Sequence, residues 1–269
     1  MRPTVVLRAV ILSIFATSIM LAGSLRVQAQ ENFLINPGFE SGFVDVGGDQ
    51  PRSVGSGWTP WNAARTADMP SFQNAQPIYI AASAAPSQGI TPRIRTGSNA
   101  QIFYSFFETH DAGVYQQISG ISPGTELRFS VYSYIWSSTF EDPNVSEDPG
   151  DVAIRVGIDP TGGTDPFSSS VIYSTPAVFY DTYRQYSIIA TAQSSTVTVF
   201  VRSTVGAPVQ NTYVYLDDAE LASTTDTPAA TATTVPPTAT ATSVVVTTAG
   251  TDPTPTSEGS TMIQTTTPT

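Results

Sequence analysis

Cysteine and lysine are both absent from the 269-residue sequence, and histidine occurs once, as His110. Without cysteine there are no disulfides, thiolate metal sites or thiol nucleophiles, and one histidine supplies neither a His-ligated zinc site nor a histidine dyad. Charge is scarce too, at 12% of residues, and mostly of one sign: 11 arginines stand against 22 carboxylates, for a formal net charge of −11. Three of those arginines, Arg2, Arg8 and Arg26, fall within the first 30 residues, so the rest of the chain is more acidic still. A surface of that sign repels nucleic acid and anionic membranes. Beyond the first 30 residues no segment keeps a helical period for more than two turns.

What is present begins with a targeting signature. Arg2 and Arg8 precede an apolar run from Ala9 to Ala22, and Val27 and Ala29 supply the small residues that signal peptidase accepts. The run is shorter than the roughly 20 residues a bilayer span requires. Residues 1–29 are therefore expected to be a signal peptide, and the protein to be secreted, either free or associated with the cell surface. From Ala222 to the end the sequence is almost entirely Thr, Ala, Pro, Ser and Val, without an aromatic residue. Such a segment buries too little apolar surface to offset its ordering entropy, so residues 222–269 are expected to form a disordered Thr/Pro-rich stalk or linker.

Between these ends, residues 30–221 alternate with a period of two. Val152, Ile154, Val156 and Ile158 alternate with Ala153, Arg155 and Gly157, and Val197, Val199 and Val201 alternate with Thr198 and Phe200. Further strands are predicted at Phe33–Asn36, Ala100–Phe107, Gly113–Ser119, Glu126–Trp136, Thr182–Ala190 and Thr212–Leu221. Many short strands punctuated by Pro-Gly and Gly-Gly turns predict an all-β, two-sheet antiparallel sandwich of immunoglobulin or jelly-roll type.

The segment Glu126–Trp136 is the most informative. Leu127, Phe129, Val131, Ser133 and Ile135 share one face, leaving Arg128, Ser130, Tyr132, Tyr134 and Trp136 on the other. Same-face residues on a strand are about 6.5 to 7 Å apart, so Tyr132, Tyr134 and Trp136 can form a row of flat platforms for sugar rings. Arg155, Gln101, Gln116 and Gln117 are candidate partners for the hydroxyls. The alternative reading of the row is a second hydrophobic cluster beneath a long loop. Trp58 and Trp61 can each fill the core or reach a groove, and core filling is the commoner fate of tryptophan. His110 has no nucleophile near it in sequence and reads as a hydrogen-bonding loop residue. The acidic stretch Glu141–Asp151 lacks the spacing of a calcium loop and reads as solvated.

Four short motifs carry a resemblance. The opening Asn32-Phe-Leu-Ile-Asn-Pro-Gly-Phe-Glu40, the Gly57-Trp58 pair, Gly113-Val-Tyr-Gln-Gln-Ile118 with the Pro123-Gly124 turn, and the closing Val214-Tyr-Leu-Asp-Asp-Ala-Glu-Leu221 recur in that order. Together they resemble the jelly-roll carbohydrate-binding modules of extracellular glycoside hydrolases, within the galactose-binding-domain-like superfold. The resemblance implies a jelly-roll β-sandwich and a polysaccharide or oligosaccharide ligand. It also implies a structural Ca²⁺ where the first and last strands meet, with Asp217 and Glu40 at the matching positions. The expected protein is a monomeric, secreted, non-catalytic glycan binder using Trp136, Tyr134, Tyr132, Trp58, Trp61, Arg155 and Gln116. Two other readings stand beside it. One is a structural or adhesive cell-surface module that binds protein, which a row buried under loops would favour. The other is a small glycoside hydrolase, which would need two facing carboxylates.

Overall fold

The computed structural model describes residues 31–224, so the expected signal peptide and all but the start of the expected tail lie outside the described residues. Twelve strands follow one another: β1 (Val44–Asp45), β2 (Ser53–Val54), β3 (Thr59–Asn62), β4 (Ile78–Ala81), β5 (Gln101–Ser105), β6 (Asp111–Ser119), β7 (Glu126–Ser138), β8 (Val152–Asp159), β9 (Ile172–Tyr173), β10 (Arg184–Thr191), β11 (Thr196–Val205) and β12 (Asn211–Ser223). A 3-10 helix at Ala82–Gln88 follows β4.

Two five-stranded antiparallel sheets form the sandwich. The first has the order β10-β7-β12-β5-β4 and the second β3-β6-β11-β8-β9, while β1 and β2 make a small separate ladder. From β5 onward the chain repeatedly changes sheet, so sequence neighbours seldom pair and the fold is a jelly-roll β-sandwich. The core lies between the sheets. Phe103, Phe129, Val131, Ile135, Val214 and Leu216 enter it from the first sheet, and Val114, Ile154, Val156, Ile158, Val199 and Val201 from the second. These are the alternate positions of their strands, as the pleat requires. At Gly113 the two central strands of the second sheet approach so closely that a β-carbon would lie 1.8 Å from the Val201 carbonyl oxygen.

One predicted strand does not form. Phe33–Asn36 makes a single ladder-like bond, from Phe33 N–H to Leu221 O at 2.9 Å, before the chain turns through positive φ at Asn36 and Phe39. The pairing that a strand would supply comes instead from side chains. Asn32 donates to Ala219 O (2.9 Å) and accepts from Leu221 N–H (3.0 Å), and Gln116 clamps both backbone groups of Ile35 (2.7 and 3.0 Å). The last strand runs two residues past Leu221, and Thr224 N–H still donates to Glu126 O at 2.9 Å.

Candidate functional site

The outer face of the first sheet carries a second apolar cluster. Register places Tyr213 of β12 opposite Trp136 of β7, and Tyr215 opposite Tyr134. Tyr104 of β5 lies opposite Tyr213 on the other side. The rings meet: Trp136 and Tyr213 are 5.1 Å apart, Tyr104 and Tyr213 stack at 5.0 Å, and Tyr134 meets Tyr215 edge-on at 5.7 Å. Phe106 packs edge-on against both Tyr104 and Tyr213 and remains 42% exposed.

A strap of residues 82–98, containing the 3-10 helix, crosses this face. Ala82, Ala85 and Ile90 are buried against the aromatic cluster. Polar bonds fasten the strap along its length: Tyr104 Oη donates to Gln88 Oε1 (2.7 Å), Tyr215 Oη to Thr91 O (2.8 Å), and Tyr183 Oη to Arg93 O (2.9 Å). Burial of these phenols raises their pKa, that of Tyr215 to about 12, so they are neutral donors near neutral pH.

Arg93 is the strap's most consequential side chain. Its guanidinium carbon lies 4.6 Å from the Tyr134 ring centroid and 5.3 Å from that of Tyr215. It donates to Tyr215 Oη at 3.0 Å and, across the face, to the carbonyl of Pro143. Pro143 belongs to the acidic stretch read from sequence as a solvated loop. That loop folds back over Trp136, whose Nε1–H is shared between Asp142 O (3.0 Å) and Val145 O (3.1 Å). Farther along, Arg95 lies with its guanidinium carbon 3.5 Å from the Tyr132 ring centroid and pairs with Asp218.

Between strap and loop a pocket of about 210 Å³ remains, lined by Arg93, Trp136, Glu141, Asn211, Tyr213 and Tyr215 among others. Glu141 is the one carboxylate among the described residues of its lining, and it accepts from Gln210 Nε2 at 3.0 Å.

The residues expected from sequence distribute as follows. Tyr132, Tyr134 and Trp136 do share the outer face, but the first two carry guanidinium groups on their rings and Trp136 is 6% exposed. Trp58 fills the core, stacked on Phe39 at 4.9 Å and donating to Asn36 O at 3.2 Å. Trp61 and Arg155 project from the outer face of the other sheet. Trp61 pairs in register with Gly113 and lies edge-on to Phe167 (5.7 Å), and Arg155 alternates with the core residues Ile154 and Val156. Neither joins the aromatic row, because β3 and β8 belong to the second sheet and its outer face lies across the core from that row. Gln116 is spent on Ile35. Gln101 is spent on the backbone of Gly55, Ser53, Ile80 and Ile102, and Gln117 donates to Gly162 O.

Sequence reasoning missed Tyr213, Tyr215 and Arg93. The alternation Thr212-Tyr-Val-Tyr-Leu216 was visible, but the pairing of β12 with β7 was not, and Arg93 has no local signal at all.

At the other end of the row, Asp217 and Glu40 converge on the last turn of the strap. Asp217 Oδ2 accepts from Arg95 N–H (2.8 Å) and Thr96 N–H (3.2 Å), and Glu40 accepts from Ser98 N–H (2.9 and 3.2 Å to its two oxygens). Gly97 adopts a φ of +69° there, a left-handed conformation that favours glycine, beside the Glu40 carboxylate. Burial raises the Asp217 pKa to about 6, against the lowering effect of its N–H donors. Two hard-oxygen donors, one poorly solvated, suit a Ca²⁺ ion. No group of three or more His, Asp or Glu side chains comes together among the described residues, so further ligands would have to be carbonyls or water.

His110 is buried on the core side of β5 and β6, with Nδ1 3.1 Å from Ser105 Oγ and Nε2 3.1 Å from Ser203 Oγ. Desolvation depresses its pKa to about 3, and its two hydroxyl neighbours make it a structural residue.

The sequence matches no protein-family profile and no curated protein. Solved structures of similar fold include TmCBM61 in complex with β-1,4-galactotriose, 16% identical over 72% of this chain and 99% of that one, with a TM-score of 0.43. The CBM22-1 xylan-binding domain of Paenibacillus barcinonensis Xyn10C is 12% identical over 69% of this chain and 90% of that one, with a TM-score of 0.38. An apo cyclase from Fischerella sp. is 14% identical over 71% and 94%, with a TM-score of 0.42.

Proposed function

We propose that the protein is a secreted, non-catalytic glycan-binding β-sandwich whose ligand occupies the pocket between the strap and the acidic loop. The observation that carries this reading is the pocket's make-up. The ring edges of Trp136 and Tyr213, 6% and 5% exposed, offer a small apolar contact to the C–H face of a sugar, while Arg93, Glu141 and Asn211 offer donors and acceptors to its hydroxyls. A few convergent polar groups are what fixes a ligand's orientation in a small-molecule site. A single lining carboxylate supports binding over hydrolysis, which needs a facing pair.

Affinity electrophoresis of the purified protein through gels containing soluble polysaccharides tests the reading. Retardation by one polymer class supports it. No retardation of folded protein would transfer weight to a structural or adhesive module, the reading favoured by the strap's cover over Tyr132 and Tyr134.

A structural calcium ion at Asp217 and Glu40 is part of the same proposal. It would balance the buried Asp217 charge and fasten the strap's end to both chain ends of the sandwich. Thermal unfolding with Ca²⁺ and with chelator checks it: a higher midpoint with Ca²⁺ supports the ion, and equal midpoints mean that the N–H donors suffice. Secretion rests on the expected leader, and among the described residues no helix is long and apolar enough to cross a membrane.

A further inference from the structure

The aromatic face would be an open groove if the strap and the acidic loop only flanked it. They do more than flank it, because Arg93 joins them. From the strap its guanidinium lies over Tyr134, anchored on Tyr215 Oη, and reaches the Pro143 carbonyl on the opposite loop. That bond crosses the aromatic row between Trp136 and Tyr132. Behind it, Arg95 covers the next platform and is held by Asp218. On the near side remain Tyr213, Trp136 and the exposed ring of Phe106 beyond them. The space left is about 210 Å³, below the roughly 300 Å³ at which sites for drug-sized ligands begin.

We propose that this blind pocket takes the terminal ring of a glycan, so that the protein recognises chain ends and short oligosaccharides and not the interior of a polysaccharide. The inference rests on the glycan-binding reading above and names its ligand class. A chain lying along the row would have to pass through the Arg93–Pro143 bridge. A chain end has no such requirement, since its first ring enters the pocket beside the exposed edges of Tyr213 and Trp136 and the rest leaves past Phe106.

Titration of the purified protein with β-1,4-linked galacto-, xylo- and gluco-oligosaccharides of one to six rings tests it. In a series that binds, affinity is expected to level off by two or three rings, changing by less than about twofold thereafter. Partial hydrolysis of the corresponding polymer should raise binding capacity per unit mass as the number of ends rises. An affinity that climbs about tenfold or more between three and six rings overturns the inference while leaving the glycan reading in place. Failure of every series to bind folded protein overturns both. Arg93→Ala removes the bridge together with one hydroxyl partner, so short oligosaccharides are expected to weaken while affinity again rises with length beyond three rings; a folded Arg93→Ala protein that binds with the same plateau would show that Arg93 is not what closes the row.

Discussion

Trp136 and Tyr213 stand opposite one another in the β7–β12 ladder with ring centroids 5.1 Å apart, and together they form the floor of the pocket. Each belongs to a strand whose alternate residues fill the core, so the pocket floor is the back of the sheet that holds the sandwich together. Chemistry at the pocket and stability of the sheet are thereby linked through the same two strands.

Trp136→Phe keeps an aromatic floor but deletes the indole N–H that holds the acidic loop through Asp142 O and Val145 O. The expected cost is about 1–2 kcal/mol of stability, from one buried donor and two carbonyls left to water. Glycan retardation should weaken as the loop loosens. Chemical denaturation and affinity electrophoresis on the same protein read both effects.

Arg155→Ala should leave glycan binding unchanged, because Arg155 projects from the opposite face of the sandwich, beside Tyr173. A loss of binding with unaltered stability would move the site to that face.

Asp111→Asn on that same opposite face should destabilise the fold. Arg202 donates to both Asp111 oxygens, from Nε at 2.7 Å and from Nη2 at 2.5 Å, in a half-buried two-point ion pair. Weakening one partner leaves the arginine charge poorly compensated, at a cost of about 1–3 kcal/mol. Urea unfolding measures the loss, and glycan affinity serves as the unchanged control.

His110 predicts a pH dependence of definite sign. Its pKa is about 3 when folded, against an ordinary value of 6.5. Below pH 6.5 the unfolded chain takes up a proton that the folded protein does not accept until about pH 3, so this contribution to stability is full above 6.5 and is lost progressively on acidification. The limiting slope is about 1.4 kcal/mol per pH unit. Asp217, whose pKa is raised to about 6, acts with the opposite sign as pH falls through 6 toward 4. The His110 part is therefore read as the difference between the protein and His110→Gln, which should show a shallower loss between pH 6.5 and 3.

Much of this architecture was legible in the sequence because strand alternation is a local property. The pleat sends Leu127, Phe129, Val131 and Ile135 to the core and Tyr132, Tyr134 and Trp136 to the outer face whatever the rest of the chain does, and the structure has them so. The predicted strand at Phe33–Asn36 failed because side chains of Asn32 and Gln116 supply the pairing that a ladder would have given. The glutamines named as hydroxyl partners were drawn into backbone bonds for the same reason: a buried amide satisfies orphan N–H and C=O groups that the sequence does not reveal as orphans.

By itself the sequence determined the period of two, the apolar inventory of each strand face, and the absence of thiol and multi-histidine chemistry. Only the tertiary structure decided what the aromatic face became. Tyr213 meets Trp136 through a pairing of strands some 75 residues apart, and the strap reaches the acidic loop through Arg93, 50 residues from Pro143. Neither relation has a local signature, since register and loop placement are set by the balance of the whole sandwich, and together they turn a row of platforms into a closed-ended pocket.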